Sequence, residues 1–157
     1  MHTFAAPNRE EMKDSELAHE LNVLILKTRM AFRQTIQQLL KQHNVEMTFE
    51  MLQIMHCLWK EQGVSQQTLA EKTAKDKACL TNLINNLERK GWVVRQEDPT
   101  DRRNKLIFLT QEGLVVAEKV KSLLITMYTQ VGEQMGTRNM EACIKQLNKL
   151  NEIFDKI

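Results

Sequence analysis

The chain has 157 residues, of which 42% are hydrophobic and only 5% aromatic, with 2 Pro, 5 Gly and 9 Met. This length and composition exclude a second full-sized domain and favour a mostly helical protein over a β-barrel or a β-sandwich. The formal net charge is only +2 and the three cysteines are far apart. Neither a disulfide framework nor a metal site is therefore expected.

Several functional classes lack their sequence signatures. No signal-peptide core and no apolar run of the ~20 residues that span a bilayer are present, so we expect a cytoplasmic protein without a membrane partner. The chain has no Gly-rich phosphate loop, HExxH motif or nucleophile elbow. It is therefore not expected to be an enzyme or to hold a cofactor.

The first part of the chain predicts a lead and three helices. We expect residues 1–14 to be a disordered lead, and residues 15–44 to form one long helix because their apolar residues recur at helical spacing. Thr48 is placed to cap a second helix and Ser65 a third. In each case a hydroxyl stands before an apolar run and can accept a free backbone N–H of the first turn.

A fourth helix has the clearest periodicity in the chain. Leu80, Leu83, Ile84 and Leu87 are spaced i, i+3, i+4 and i+7, which marks one buried face. Gly91 follows at the position where a left-handed residue ends a helix in a Schellman motif.

A β-hairpin with a basic loop follows directly. Residues 92–96 and 106–110 are rich in β-branched and aromatic side chains, and Asp98-Pro99 marks a turn between them. The loop of residues 98–105, called the wing below, carries three cations: Arg102, Arg103 and Lys105. Arginine suits phosphate groups and a narrow minor groove because it is planar and permanently charged.

These elements predict a mainly α protein with a small β-hairpin, arranged as a winged helix-turn-helix with N- and C-terminal dimerisation helices. Between residues 65 and 110, nine Lys or Arg face six Asp or Glu, while the remaining 13 basic and 14 acidic residues nearly cancel. This distribution favours double-stranded DNA as the partner. The predicted contacts of the fourth helix are Lys75, Lys77, Ala78, Thr81, Asn82 and Asn85.

Asparagine can form two hydrogen bonds with adenine in the major groove, and threonine offers a hydroxyl and a methyl group. A polar, nearly uncharged outer face on this helix is therefore suited to reading bases. The alternative is that this face is only a solvated helix surface.

Three stretches resemble the MarR family of bacterial transcriptional regulators: LERKGWVVR (87–95), DPTDRR (98–103) and LTQEG (109–113). The resemblance implies that Arg103 reaches DNA from the wing and that Asp101 braces it. A surface ion pair that contributes little is the alternative. Asn82 departs from the pattern, because relatives often carry Arg there, which leaves the operator sequence open.

The terminal segments predict a dimer. Residues 15–44 and 111–157, the latter with a last helix capped by Thr137, carry more apolar residues than the DNA-binding domain of residues 45–110 can cover. We therefore expect a homodimer, and the resemblance implies the same. Such a dimer would bind a pseudo-palindromic operator, as a repressor.

The resemblance also implies control by a small phenolic or other aromatic effector, or by cysteine oxidation. Three methionines at four-residue spacing are the candidate effector pocket, with ordinary core packing as the alternative: Met47, Met51 and Met55. Cys79, beside Lys75 and Lys77 near the positive end of the fourth helix, is the candidate for a redox-responsive regulator. A second alternative function is a winged-helix module that binds protein and not DNA.

Overall fold

The computed structural model describes residues 9–157, with side chains from residue 13 onward. The chain divides into two units, and the second spans Glu50–Ile157. The described residues form six helices and three short strands.

The first unit consists of one long helix and the turn that follows it. Helix α1 spans Arg9–Gln42, so the predicted lead is too long by six residues, and residues 1–8 lie outside the described part. The reason is that residues 10–14 are mostly Glu, Met and Lys, which are good helix formers, and acidic residues suit a first turn. Asn44 adopts a left-handed φ of 54°, and the Val45 N–H donates to the Leu40 carbonyl at 2.9 Å. This Schellman bond ends the helix.

Three helices follow, α2 (Phe49–Lys60), α3 (Gln66–Thr73) and α4 (Lys77–Arg89). Helix α2 begins directly after Thr48, as predicted, and Ser65 caps α3 by accepting from the Thr68 N–H at 3.0 Å. Asp76 caps α4 by accepting from the Cys79 N–H at 2.7 Å, a cap that the sequence analysis missed. At the other end of α4, the Trp92 N–H donates to the Leu87 carbonyl at 3.0 Å. The Schellman motif predicted at Gly91 is confirmed.

A three-stranded antiparallel sheet carries the wing. The strands are β1 (Val64–Ser65), β2 (Val93–Glu97) and β3 (Lys105–Leu109), in the order β1-β3-β2. The predicted hairpin is confirmed as the β2–β3 pair, with Arg95 opposite Ile107. Strand β1 was not predicted, because two residues are too few to show an alternating pattern.

Two long helices complete the chain, α5 (Gln111–Met135) and α6 (Thr137–Phe154). The Thr110 hydroxyl caps α5 by accepting from the Gly113 N–H at 3.0 Å. The predicted cap at Thr137 is wrong. Gly136 occupies the capping position of α6 with a φ of 80°, and no side chain caps that helix.

The core of the second unit supports α4. Leu80, Ile84 and Leu87 are buried, which confirms the face predicted from their spacing, and they share the core with buried residues of α2, α3, β3 and α5. The opposite face of α4 is therefore turned to solvent. In the described part of the chain, no helix combines the length and apolar character needed to cross a membrane.

Candidate nucleic-acid interface

The solvent-facing side of α4 carries most of the residues predicted to contact DNA. Lys77, Ala78, Asn82 and Asn85 are exposed, and Thr81 is half-buried. Lys75 lies in the connection before α4, where its Nζ donates to the Gln53 Oε1 at 3.0 Å. The structure therefore directs Lys75 toward α2 and brings the other five onto one helix.

The asparagines of this surface differ in their hydrogen bonds. The Asn85 Oδ1 accepts from the Arg95 Nη2 at 2.7 Å, and the Asn86 Oδ1 accepts from the Arg89 guanidinium. Within the part of the chain that the structure describes, the Asn82 amide makes no hydrogen bond. Asn82 is therefore the asparagine that keeps both its donor and its acceptor for a ligand.

Arg95 of β2 connects three elements. Its Nη1 binds the Glu88 Oε2 at 2.6 Å, its Nη2 binds Asn85, and its Nε donates to the Gln66 Oε1 at 3.3 Å. Gln66 in turn donates through its Nε2 to the Thr81 hydroxyl at 3.0 Å. A continuous hydrogen-bond network thus joins α3 and α4 to β2, the strand that leads into the wing.

Sequence reasoning missed Gln66 and Arg95 as part of this site. Arg95 stands in the stretch that resembles the MarR family, yet its partners lie 7 to 29 residues away along the chain. Only the packing of β2 against α4 brings them together. A basic residue on a strand that follows an amphipathic helix was the one available signal.

The wing is built around the Asp98 carboxylate. This carboxylate accepts from the Thr100 hydroxyl at 2.7 Å, from the Thr100 N–H at 2.9 Å, and from the Asn104 amide at 3.3 Å. The Thr100 hydroxyl is the main cause of a lowered Asp98 pKa, since each donor stabilises the ionised form. Asp98 therefore stays charged near neutral pH and holds the turn closed.

Asp101 acts on the backbone of the wing. Its Oδ1 accepts from the Arg103 N–H at 3.0 Å, while the described residues include no ion pair between Asp101 and the Arg103 guanidinium. The bracing expected from the resemblance therefore fixes the loop, and the guanidinium itself stays unpaired. Lys105, in contrast, is paired with the Glu97 Oε1 at 3.0 Å.

A hollow of about 350 Å³ lies between α3, α4 and the wing. Lys77 of α4 lines it together with Arg103 and Lys105 of the wing. The structure thus brings cations that are 26 and 28 residues apart onto one concave, positively charged surface. Such a surface suits the sugar-phosphate backbone of a nucleic acid.

The candidates for regulation are three methionines in or near α2 and Cys79 in α4. Met47, Met51 and Met55 are all buried, as the core-packing alternative predicts. Cys79 is half-buried, and its own N–H is bonded to the Asp76 carboxylate. This negative charge offsets the positive helix end on which the redox prediction depended.

Large apolar side chains remain exposed on the terminal helices. In α6, all of which is described, no residue is buried, although the helix carries Ile144, Leu147 and Phe154 on one face. Further exposed apolar residues lie on α1 and α5: Leu17, Leu21, Leu24, Leu26, Met30, Val115, Ile125, Val131 and Met135. Apolar helix faces of this extent are typical of an interface.

Comparison with known proteins gives consistent matches. Residues 47–105 match the family model for the MarR family. The chain is 30% identical over 111 residues to the transcriptional regulator HosA of Escherichia coli O111:H-. This match covers 66% of this chain and 78% of HosA. It is 26% identical over 134 residues to the homoprotocatechuate degradative operon repressor of Escherichia coli, covering 85% and 86% of the two chains.

A solved structure matches the fold. The MepR–DNA complex of S. aureus superposes with a TM-score of 0.75 at 26% identity, covering 83% of this chain and 96% of MepR. In that structure MepR is bound to DNA.

Proposed function

Because the chain belongs to the MarR family of transcriptional regulators, we propose that it is a homodimeric repressor that binds double-stranded DNA through α4 and the wing. The observation that carries this proposal is the surface on which Lys77 and Arg103 lie together, both without a carboxylate partner in the described residues. Unpaired cations beside a polar helix face are free to bind phosphates. This role does not require enzymatic chemistry, and it places the protein in the cytoplasm with the chromosome.

In this proposal, the exposed face of α4 recognises the bases. Asn82 retains a donor and an acceptor, and Thr81 adds a methyl group. In a two-fold symmetric dimer, the two copies of α4 would enter successive major grooves about 34 Å apart. The operator would then be a pseudo-palindrome with half-sites one helical turn apart.

Selection of bound sequences from a random pool of double-stranded DNA tests this function, with affinity then measured from 50 to 300 mM salt. We expect enrichment of a pseudo-palindrome and a steep loss of affinity as salt rises, because phosphate contacts release counterions. If no DNA sequence is enriched and no salt-dependent binding to DNA is measured, the protein-interaction module is favoured.

Arg103→Ala is expected to weaken binding to the selected operator by about tenfold or more, since a charge-assisted hydrogen bond is lost from each half-site. The slope of log affinity against log salt should become shallower by ~0.9 for each phosphate contact removed. Fluorescence anisotropy with labelled operator measures both quantities.

Lys72→Gln is the matched control for Arg103→Ala. It also removes one positive charge from the same unit, but Lys72 is paired with Glu61 at 2.5 Å and does not line the hollow. The affinity of this variant should stay within about twofold of the original. Equal losses in the two variants would mean that net charge, and not the wing, holds the DNA.

We further propose that a phenolic carboxylate releases the DNA. The support is the similarity to a repressor of a homoprotocatechuate degradative operon. A millimolar concentration of homoprotocatechuate should raise the melting temperature of the protein, because it binds the folded state. It should also weaken operator binding by about fivefold or more.

Phenylacetate is the control ligand for this experiment, because it has the same carboxylate without the phenolic hydroxyls. It should change neither the melting temperature nor operator binding. If both compounds act equally, or if neither acts, the proposed phenolic effector is wrong.

A further inference from the structure

We infer that Arg95 is a positioning residue that sets the base preference of Asn85. By donating to the amide oxygen of Asn85, it turns the NH₂ group toward the DNA, so Asn85 prefers guanine or thymine to adenine. This inference rests on the proposed binding of DNA through α4.

The orientation of the Asn85 amide follows from the chemistry of its partner. A guanidinium has only donors, so the oxygen of the amide must face the Arg95 Nη2, at 2.7 Å. The NH₂ group is then the end of Asn85 that remains free. Asn85 is exposed, so this group is available to a base in the major groove.

The guanidinium of Arg95 is itself held in place. Its ion pair with the Glu88 Oε2 is 2.6 Å long, and the Arg95 side chain is only 22% exposed. The Gln66 Oε1 accepts from the Nε at 3.3 Å on a further side. Three contacts from two helices restrict the rotation of Arg95 before DNA arrives, which lowers the entropy lost when Asn85 binds a base.

Base chemistry turns this orientation into a preference. Adenine is bound best by a partner with both a donor and an acceptor, because its major-groove edge sets an amino group beside N7. Guanine offers two neighbouring acceptors, O6 and N7, and thymine offers O4. A group that presents its donors therefore favours guanine or thymine. At adenine it can bind only N7, beside an amino group, and at cytosine it meets an amino group alone.

Asn82 provides the internal comparison. It lies three residues earlier on the same helix and keeps both ends of its amide free, so it can bind adenine with two hydrogen bonds. The two asparagines, which have the same side chain, should therefore read different bases. The difference comes from Arg95.

The test is selection from a random double-stranded pool with the original protein and four variants, each first checked for its circular dichroism spectrum. Asn85→Ala and Asn82→Ala assign one base position to each asparagine. Arg95→Met combined with Glu88→Gln removes the contact to Asn85 without changing the net charge. Glu88→Gln alone keeps that contact and is the matched control.

We expect the original protein and Glu88→Gln to prefer guanine or thymine over adenine by about tenfold at the Asn85 position. The double variant should reduce this preference to less than about threefold while leaving the Asn82 position unchanged. Four results would overturn the inference: adenine or cytosine at the Asn85 position, no effect of Asn85→Ala, an unchanged preference in the double variant, or equal losses at both positions. If the original protein enriches no sequence, the proposed function fails, and the inference fails with it.

Discussion

Gly113→Ala is expected to lower the free energy of unfolding by about 3 kcal/mol, the upper part of the range for overpacking substitutions. A Cβ added to Gly113 would lie 2.0 Å from the carbonyl oxygen of Trp92, and backbone cannot yield as a flexible side chain does. The first turn of α5 would have to move away from Trp92, directly before β2. Alanine is otherwise the better helix former, so propensity alone predicts the opposite sign.

The displacement would break a specific junction. Thr110 donates its hydroxyl to the Gly91 carbonyl at 2.5 Å and its N–H to the Trp92 carbonyl at 3.0 Å. These bonds join the end of α4, the start of β2 and the first turn of α5. Because this junction is lost, we expect the free energy of unfolding to fall by more than one added methyl group alone would cause.

Gly132→Ala is the control, since it is the same substitution in the same helix. There a Cβ would meet only the end of the Met140 side chain, with the Cε at 3.5 Å and the Sδ at 4.0 Å, which are ordinary contacts. We expect this variant to be as stable as the original protein or more stable by up to ~1 kcal/mol. Urea unfolding followed by circular dichroism at a fixed protein concentration compares the two variants. A fall in stability of similar size in both would contradict the packing argument.

The sequence predicted those elements of the fold that have a periodic apolar pattern or a residue that terminates a helix. The stripe from Leu80 to Leu87 and the glycine after it gave both the buried face and the end of α4, because helical periodicity and a left-handed cap are local properties. The two longer strands of the wing were predicted for the same reason. Strand β1 was missed because it forms only through its pairing with β3.

The different hydrogen bonding of Asn82 and Asn85 could not be predicted from the sequence. Asn82 and Asn85 have equivalent exposed positions on α4, and nothing in their spacing distinguishes them. The distinction arises when β2 places Arg95 beside Asn85 and Glu88, which is a tertiary contact. Similarly, the resemblance to the family implied that Asp101 braces Arg103, but not that it acts on the backbone N–H.

Ile144→Glu combined with Leu147→Glu is expected to convert the protein from a dimer to a monomer at micromolar concentration. These side chains are 59% and 43% exposed in the single chain, so the substitutions leave the fold of one chain intact. In a dimer that covers this face of α6, each carboxylate would lose its water without gaining a partner. Such burial costs several kcal/mol for each charge.

Loss of the dimer should also weaken operator binding by about a hundredfold or more. In a dimer, the second half-site is bound as an intramolecular step at an effective concentration that can reach millimolar. A monomer loses this gain although every residue of α4 and the wing is unchanged. Lys145→Gln combined with Lys149→Gln, which alters the net charge by the same two units on the polar face of α6, should keep both the dimer and its affinity. Sedimentation velocity and operator titration measure the two effects, and a monomer that binds the full operator as tightly as the original protein would refute the two-fold arrangement.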